Sequence, residues 1–338
     1  MIGQFFMSGT KKMVKEMDRK YYKALIYCLL IPVMALVING FLVEKSFGAE
    51  RFSYRERQSL VQLFENSEFE TTAIRKIFFD KRLKKMPVIV NRNVNNKEIK
   101  RNYDDFLSSY SIHLANRFSR KWRTLLAKAS KKFHVDQEIL VAVLLVETGF
   151  GNILGRYPIV SVYSSIIVEN GKQQQCLLKY LNGCLDTKSL SRLGEKARWA
   201  NKELKALIKI SESSNRSLFR LKGSYAGAFG IPQFLPSSYL KWGYDSDRNG
   251  SVNLFLFPDA VYSTANYLKA HGWQKGLHLE SNRDVVWKYN HSRIYVDTIF
   301  KIAQKVRVYP PRLSVSGSKP SEPRITLKFN RQISNNPS

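Results

Sequence analysis

The chain has 338 residues, 44% of them hydrophobic and 12% aromatic, enough to bury one large core or two smaller ones, which excludes a protein disordered throughout. Lysine and arginine outnumber aspartate and glutamate 55 to 27, a net charge of +28, so the surface attracts polyanions: nucleic acid, anionic lipid or an acidic wall polymer. Nucleic acid is the disfavoured partner, because no zinc-finger Cys/His spacing, RNP-type aromatic motif or P-loop is present.

Residues 1–23 carry Lys11, Lys12, Lys15, Arg19, Lys20 and Lys23, and residues 24–43, ALIYCLLIPVMALVINGFLV, follow with Asn39 as their polar exception. About 20 apolar residues cross a bilayer of roughly 30 Å as a helix. Only Lys45 follows closely, so the positive-inside bias predicts a cytoplasmic segment at 1–23, an inner-membrane anchor at 24–43 and export to the periplasmic side beyond about residue 45. The alternative is a cleaved signal peptide, since Ser46, Gly48 and Ala49 supply small residues, although the apolar run is long for one. Cys28 lies inside the span. Cys176 and Cys184 would face an oxidising compartment, either bridged or as two buried thiols.

Residues 51–308 are predicted to form one mainly α-helical domain, and residues 309–338, rich in Pro, Ser and Asn, a flexible tail. Leu60, Leu63 and Phe64, then Ile74, Ile77 and Phe78, recur at helical steps between Arg51 and Lys85. Residues 87–102 break the period with Pro and Asn and read as a connection. Helical spacing resumes over 104–132, another helix starts near Val135–Asp136, the stretch 170–192 reads as a polar surface excursion, and 195–219 is helical again.

From Ile139 to Val146 every residue is apolar, so that helix is expected to be buried all round, with Glu147 emerging at its end. Thr148, Gly149 and Gly151 stop it. Desolvation and the helix dipole both raise the pKa of a carboxyl so placed, the condition for a general acid. The plain alternative is a glutamate paired with one of the many cations. Glu138, nine residues earlier, falls about 13.5 Å away on the opposite face and cannot be its partner carboxylate.

In GSYAGAFGIPQFLPSSY (223–239) small residues allow a close backbone approach to ligand, and Gln233 can both donate to and accept from sugar hydroxyls. In 245–259, Asp245, Asp247, Asn249, Gly250 and Ser251 occupy the first, third, fifth, sixth and seventh places of an EF-hand loop. Leu256 stands where a bidentate glutamate is usual, and Asp259 is the candidate replacement; an Asx-rich turn without metal is the competing reading. YNHSRIY (289–295) mixes the aromatic faces of Tyr289 and Tyr295 with the amide of Asn290.

In this order, VETGFG (146–151), KGSYAGAFGIPQFLPSSY (222–239), the acidic loop, DAVYSTANYLKAHGW (259–273) and YNHSRIY resemble the B-type membrane-bound lytic murein transglycosylases over roughly residues 103–305. The resemblance implies a lysozyme-like α-helical fold with a small EF-hand-like calcium-loop insertion, acting on peptidoglycan glycan strands. It implies Glu147 as the single acid and then base, cleaving the bond between N-acetylmuramic acid and N-acetylglucosamine to leave a 1,6-anhydromuramyl end. Sugar-binding positions fall on Ser224, Gln233, Tyr289, Asn290 and Tyr295. Metal positions fall on Asp245, Asp247, Asn249, Ser251 and Asp259, for a structural Ca2+; no organic cofactor is expected. An internal nucleophile removes the need for a second carboxylate to activate water. A hydrolytic muramidase on the same fold and a non-catalytic wall-binding scaffold are the rival readings. The excursion at 170–192 is not part of the family pattern.

Overall fold

The computed structural model describes residues 50–94, 103–179, 184–214, 217–277 and 280–311. The expected anchor at 24–43, Cys28 and the expected tail from 312 onward lie outside the described residues. Among the described residues, no helix is long and apolar enough to cross a membrane.

The chain enters through β1 (Glu50–Arg51), α1 (Tyr54–Gln62), α2 (Thr71–Phe79) and β2 (Lys84–Lys85), with β1 and β2 antiparallel in the register Glu50↔Lys85. Ser53 starts α1 with a capping box: its Oγ accepts from the Glu56 N–H at 3.2 Å while Glu56 accepts from the Ser53 N–H at 2.7 Å. β2 is hung on a later helix, because Ser161 and Ser165 hydroxyls accept the N–H groups of Lys84 and Met86.

Part of the connection expected at 87–102 is a helix, α3 (Pro87–Val94). Pro87 occupies the first helical position, where its missing N–H costs nothing, and Ile89, Val90 and Val94 are buried. The Pro and Asn read as breakers are therefore helix-compatible: the Asn93 amide donates to Ile89 O at 2.9 Å and to Tyr225 O at 3.0 Å.

After a 3-10 turn (Tyr103–Leu107) come α4 (Ser109–Lys121) and α5 (Arg123–Phe133), parted at Trp122 within the continuous pattern of 104–132. α6 (Gln137–Thr148) runs through the centre, and Ile139 to Val146 are each no more than 2% exposed. Burying a Val, Leu or Ile side chain stabilises by roughly 1.5–3 kcal/mol, so this helix is a principal contributor to the single core.

The expected polar excursion at 170–192 is mostly helix. α7 (Ile159–Leu178) continues into it and α8 (Thr187–Ser214) begins within it, the two packed side by side. A disulfide between Cys176 and Cys184, with Cα atoms 5.8 Å apart, closes the short connection. The polar residues that suggested a loop form the exposed end of a helix pair whose other end is core. β3 (Tyr157–Pro158) pairs antiparallel with β4 (Lys222–Gly223), a 3-10 turn (Leu218–Arg220) precedes β4, and α9 (Pro236–Trp242), α10 (Phe257–Ala270), α11 (Ser281–Tyr289) and α12 (Arg293–Lys305) complete the domain.

Candidate active site

The end of α6 is built by three successive left-handed residues, Gly149 (φ +56°), Phe150 (φ +59°) and Gly151 (φ +86°). The Gly149 N–H returns to Leu145 O at 2.8 Å and the Phe150 N–H to Leu144 O at 3.1 Å, so the last carbonyls are satisfied while the chain turns away. Phe150 is a bulky residue in a region that disfavours one. Its ring is stacked on Phe118 of α4, centroids 4.1 Å apart and planes at 7°. Thr148, read from sequence only as a helix stop, ties the turn to the next segment by donating to Ile231 O at 2.8 Å and accepting from the Gly151 N–H at 2.9 Å.

That next segment, 223–234, is a tightly folded turn. A Cβ on Gly155 would lie 2.1 Å from the Gly223 carbonyl carbon, and one on Gly227 would lie 2.3 Å from the Tyr163 hydroxyl. The Ser224 hydroxyl accepts the N–H groups of Ala226 and Ala228, so it shapes the turn from inside. Gln233 is left-handed (φ +52°), and its side-chain N–H2 donates to Gly230 O at 2.9 Å and to Leu154 O at 3.4 Å. The amide thus bridges the two loops that flank the end of α6.

Glu147 is half-buried, and the Tyr295 hydroxyl donates to its Oε1 at 2.7 Å. Tyr295 itself is fully buried, its ring edge-on to Tyr103 with centroids 6.4 Å apart. Tyr289 donates to Pro232 O at 2.6 Å and packs on Tyr267 and Phe234. Burial, then the charge of Glu147, holds the phenols of both Tyr289 and Tyr295 well above their ordinary value. Asn290 ends α11 in extended backbone (φ −146°), half-buried. The fold thus gathers Glu147, Gln233, Tyr289 and Tyr295 from four separate segments around one turn. Ser224 stands in the adjoining turn with its hydroxyl spent on backbone. Glu138 lies in the first turn of α6, at the far end from Glu147, where burial pushes its carboxyl up.

Sequence reasoning missed Tyr103, Phe118 and Asn93, which support the site from elements distant in the chain. Phe118 and Asn93 could have been marked only by an aromatic or amide side chain at a buried helical position, and the half-buried Tyr103 carries no such signal.

In the acidic loop, Asp245, Asp247 and Asp259 each offer an oxygen, and these atoms lie within 4.8 Å of one another. Asp259 is buried in the first turn of α10, where Leu256 is the N-cap, and it reaches back to accept from the N–H groups of Ser246 and Asn253. Gly250 (φ +88°) makes the sharp turn, its N–H donating to Asp245 at 2.8 Å, and the Ser251 N–H donates to Asn249 Oδ1 at 3.0 Å. Three clustered carboxylate oxygens are the donor type that suits a hard divalent cation. The loop connects to the end of α6 through Leu254, whose carbonyl accepts the Ile231 N–H at 2.8 Å, while Ile231 O accepts from Thr148.

Residues 53–281 match the family described as the transglycosylase SLT domain, and the chain belongs to it. It is 30% identical over 159 residues to membrane-bound lytic murein transglycosylase B of Escherichia coli (strain K12), a match covering 47% of this chain and 38% of that protein. The chain therefore spans well under half the length of this curated relative. Its fold resembles that of the E. coli lytic transglycosylase Slt35 solved in complex with calcium, with a TM-score of 0.59 at 21% identity, covering 74% of this chain and 92% of the other. It also resembles SltB3 of Pseudomonas aeruginosa in complex with NAG-anhNAM-pentapeptide, with a TM-score of 0.59 at 18% identity over 74% and 78% of the two chains. The mainly α, lysozyme-like fold expected from sequence is thus the fold observed.

Proposed function

We propose that the chain is a lytic transglycosylase of peptidoglycan in which Glu147 is the acid and then the base. The observation that carries this reading is the Tyr295 hydroxyl bonded to Oε1 of a glutamate at the end of an otherwise apolar helix. A carboxyl held on one oxygen by a buried donor presents its other oxygen in a defined direction. Glu147 gives its proton to O4, the oxygen bridging C1 of N-acetylmuramic acid and C4 of N-acetylglucosamine, and the C1–O4 bond breaks. The carboxylate left behind takes the proton of the muramic C6 hydroxyl as O6 bonds to C1. The proton is returned, no water is consumed, and the product ends in a 1,6-anhydro ring.

Gln233, Tyr289, Asn290 and the turn at Ser224 are assigned to holding the sugars. Tyr295, buried and bonded to Glu147, is assigned to positioning that group rather than to direct sugar contact. Asp245, Asp247, Asn249, Ser251 and Asp259 are the residues that would hold Ca2+ in an EF-hand-like loop, where the ion would neutralise clustered carboxylates and stiffen the turn behind Ile231. Segment 24–43 would tether residues 51–308 to the periplasmic face of the inner membrane, and residues 309–338 would form a tail.

The test is to incubate the full-length chain in detergent with purified peptidoglycan, beside a Glu147→Gln variant, and to weigh the released muropeptides. Anhydro ends, lighter by one water than hydrolysed ends, made only by the unsubstituted chain are the expected result. Reducing ends would make it a muramidase, and folded protein that binds the wall without releasing products would make it a scaffold.

A further inference from the structure

One flank of the Glu147 site, the cleft of the proposed reaction, is strongly basic. Between Asp105 and Asp136 the sequence has no acidic residue, and α4 displays Arg117, Arg120 and Lys121, all exposed. The end of α12 is fastened over the same helix: the Arg307 N–H donates to Asn116 Oδ1 at 2.7 Å, and the Ser119 hydroxyl donates to Arg307 O at 2.7 Å. Those two bonds lay the backbone of Arg307 on α4 next to Arg117, with Lys305 two residues before it, and both side chains are exposed. None of the five takes part in an ion pair among the described residues. Five like charges gathered without a carboxylate repel one another and raise the local concentration of a counter-anion.

The position of the patch narrows the anion. Phe118, between Arg117 and Ser119, is the residue stacked on Phe150 of the turn after Glu147, and α12 also carries Tyr295. An anion seated on Arg117, Arg120 and Lys121 therefore lies along the flank of the cleft, next to whatever polymer the cleft holds. In peptidoglycan the carboxylates that accompany the neutral glycan belong to the peptide stems. We propose that the α4–α12 cations bind the stem-peptide carboxylates of the wall while the glycan occupies the cleft. This rests on the reading of the cleft given above. It adds a second contact that selects peptide-bearing strands and holds the enzyme on them.

The test uses the full-length chain in detergent with Glu147→Gln, so that no strand is cut, and measures binding to immobilised, uncross-linked glycan strands that carry peptide stems and to the same strands after an amidase has removed the stems, which leaves a single lactyl carboxylate on each muramic acid. The parent should bind stem-bearing strands at least about ten-fold more tightly than stripped ones, with the difference shrinking at about 0.5 M NaCl. In R117Q/R120Q/K121Q the preference should vanish while binding to stripped strands stays unchanged. Arg307→Gln, on the other element, should weaken the preference by itself, so the test survives if the triple variant fails to fold. A triple variant that still prefers stem-bearing strands, a parent with no preference, or equal loss on both substrates would overturn the proposal. So would patch-dependent binding confined to phosphatidylglycerol-doped micelles, which would make this face a membrane contact. Turnover of soluble, peptide-free glycan with Glu147 intact is measured alongside: its failure would sink the reading of the cleft without altering the binding result.

Discussion

Tyr295 and Glu147 stand 148 positions apart in the chain, yet one hydrogen bond of 2.7 Å joins them. Removing the hydroxyl as Tyr295→Phe keeps the buried ring and its packing on Tyr103 and deletes only the donor. The expected outcome is a fall in kcat of roughly ten- to hundred-fold with KM little changed, because the carboxyl loses its orientation and not its proton. The pH profile of the variant should shift as well, whereas a purely structural role for Tyr295 would change melting and leave the profile in place. The place of Glu147 at the end of a buried helix was legible from sequence, since a carboxylate closing an eight-residue apolar run is a local signal. Its bond to Tyr295, which the family resemblance placed among the sugar-binding positions, was not legible, because nothing in YNHSRIY says that this hydroxyl meets a residue 148 positions earlier.

At the scale of elements, the turn at 223–234 shows how glycine sets the site. Gly227 has φ +75°, and a Cβ there would meet the Tyr163 hydroxyl, which itself donates to Gly227 O at 3.2 Å. Gly227→Ala should destabilise the protein by about 1–3 kcal/mol through overpacking and left-handed strain, seen as a lowered Tm. Adding Tyr163→Phe should recover only part of the loss, since the strain at φ remains. The acidic loop makes a second prediction. A chelator should lower Tm, added Ca2+ should restore it, and Asp259→Asn should abolish both responses; a Tm indifferent to chelator and calcium would leave an Asx turn without metal. Both turns were visible in sequence as glycine- and aspartate-rich strings. α3 was not, because Pro and Asn are breakers in a helix interior and harmless at its first position or where an amide finds buried carbonyls, as Asn93 does with Ile89 and Tyr225.

For the whole molecule, stability should be sensitive to alkali. The phenols of Tyr163, Tyr289 and Tyr295 are pushed well above their ordinary value and that of Tyr267 to about 12, in each case first by burial. A folded pKa above the unfolded one means the contribution is complete below about pH 10 and is lost as pH rises through the folded values. Circular dichroism and phenolate absorbance should therefore change together above about pH 10, with these four tyrosines titrating only as the fold opens. Phenolate absorbance reaching its full amplitude while the helix signal stays intact would contradict this.

The sequence by itself determined the helical class, the buried central helix, the candidate acid at its end and the two polar loops, because each depends on residues close together in the chain. Periodicity, a carboxylate interrupting an apolar run and glycines at turns are local physics. Only the tertiary structure decided that α7 and α8 form a disulfide-closed pair where a loop was read, that Phe118 steadies the strained Phe150, and that Tyr295 faces Glu147. Those outcomes depend on which distant surfaces bury one another, and a pattern along one strand of chain does not encode that choice.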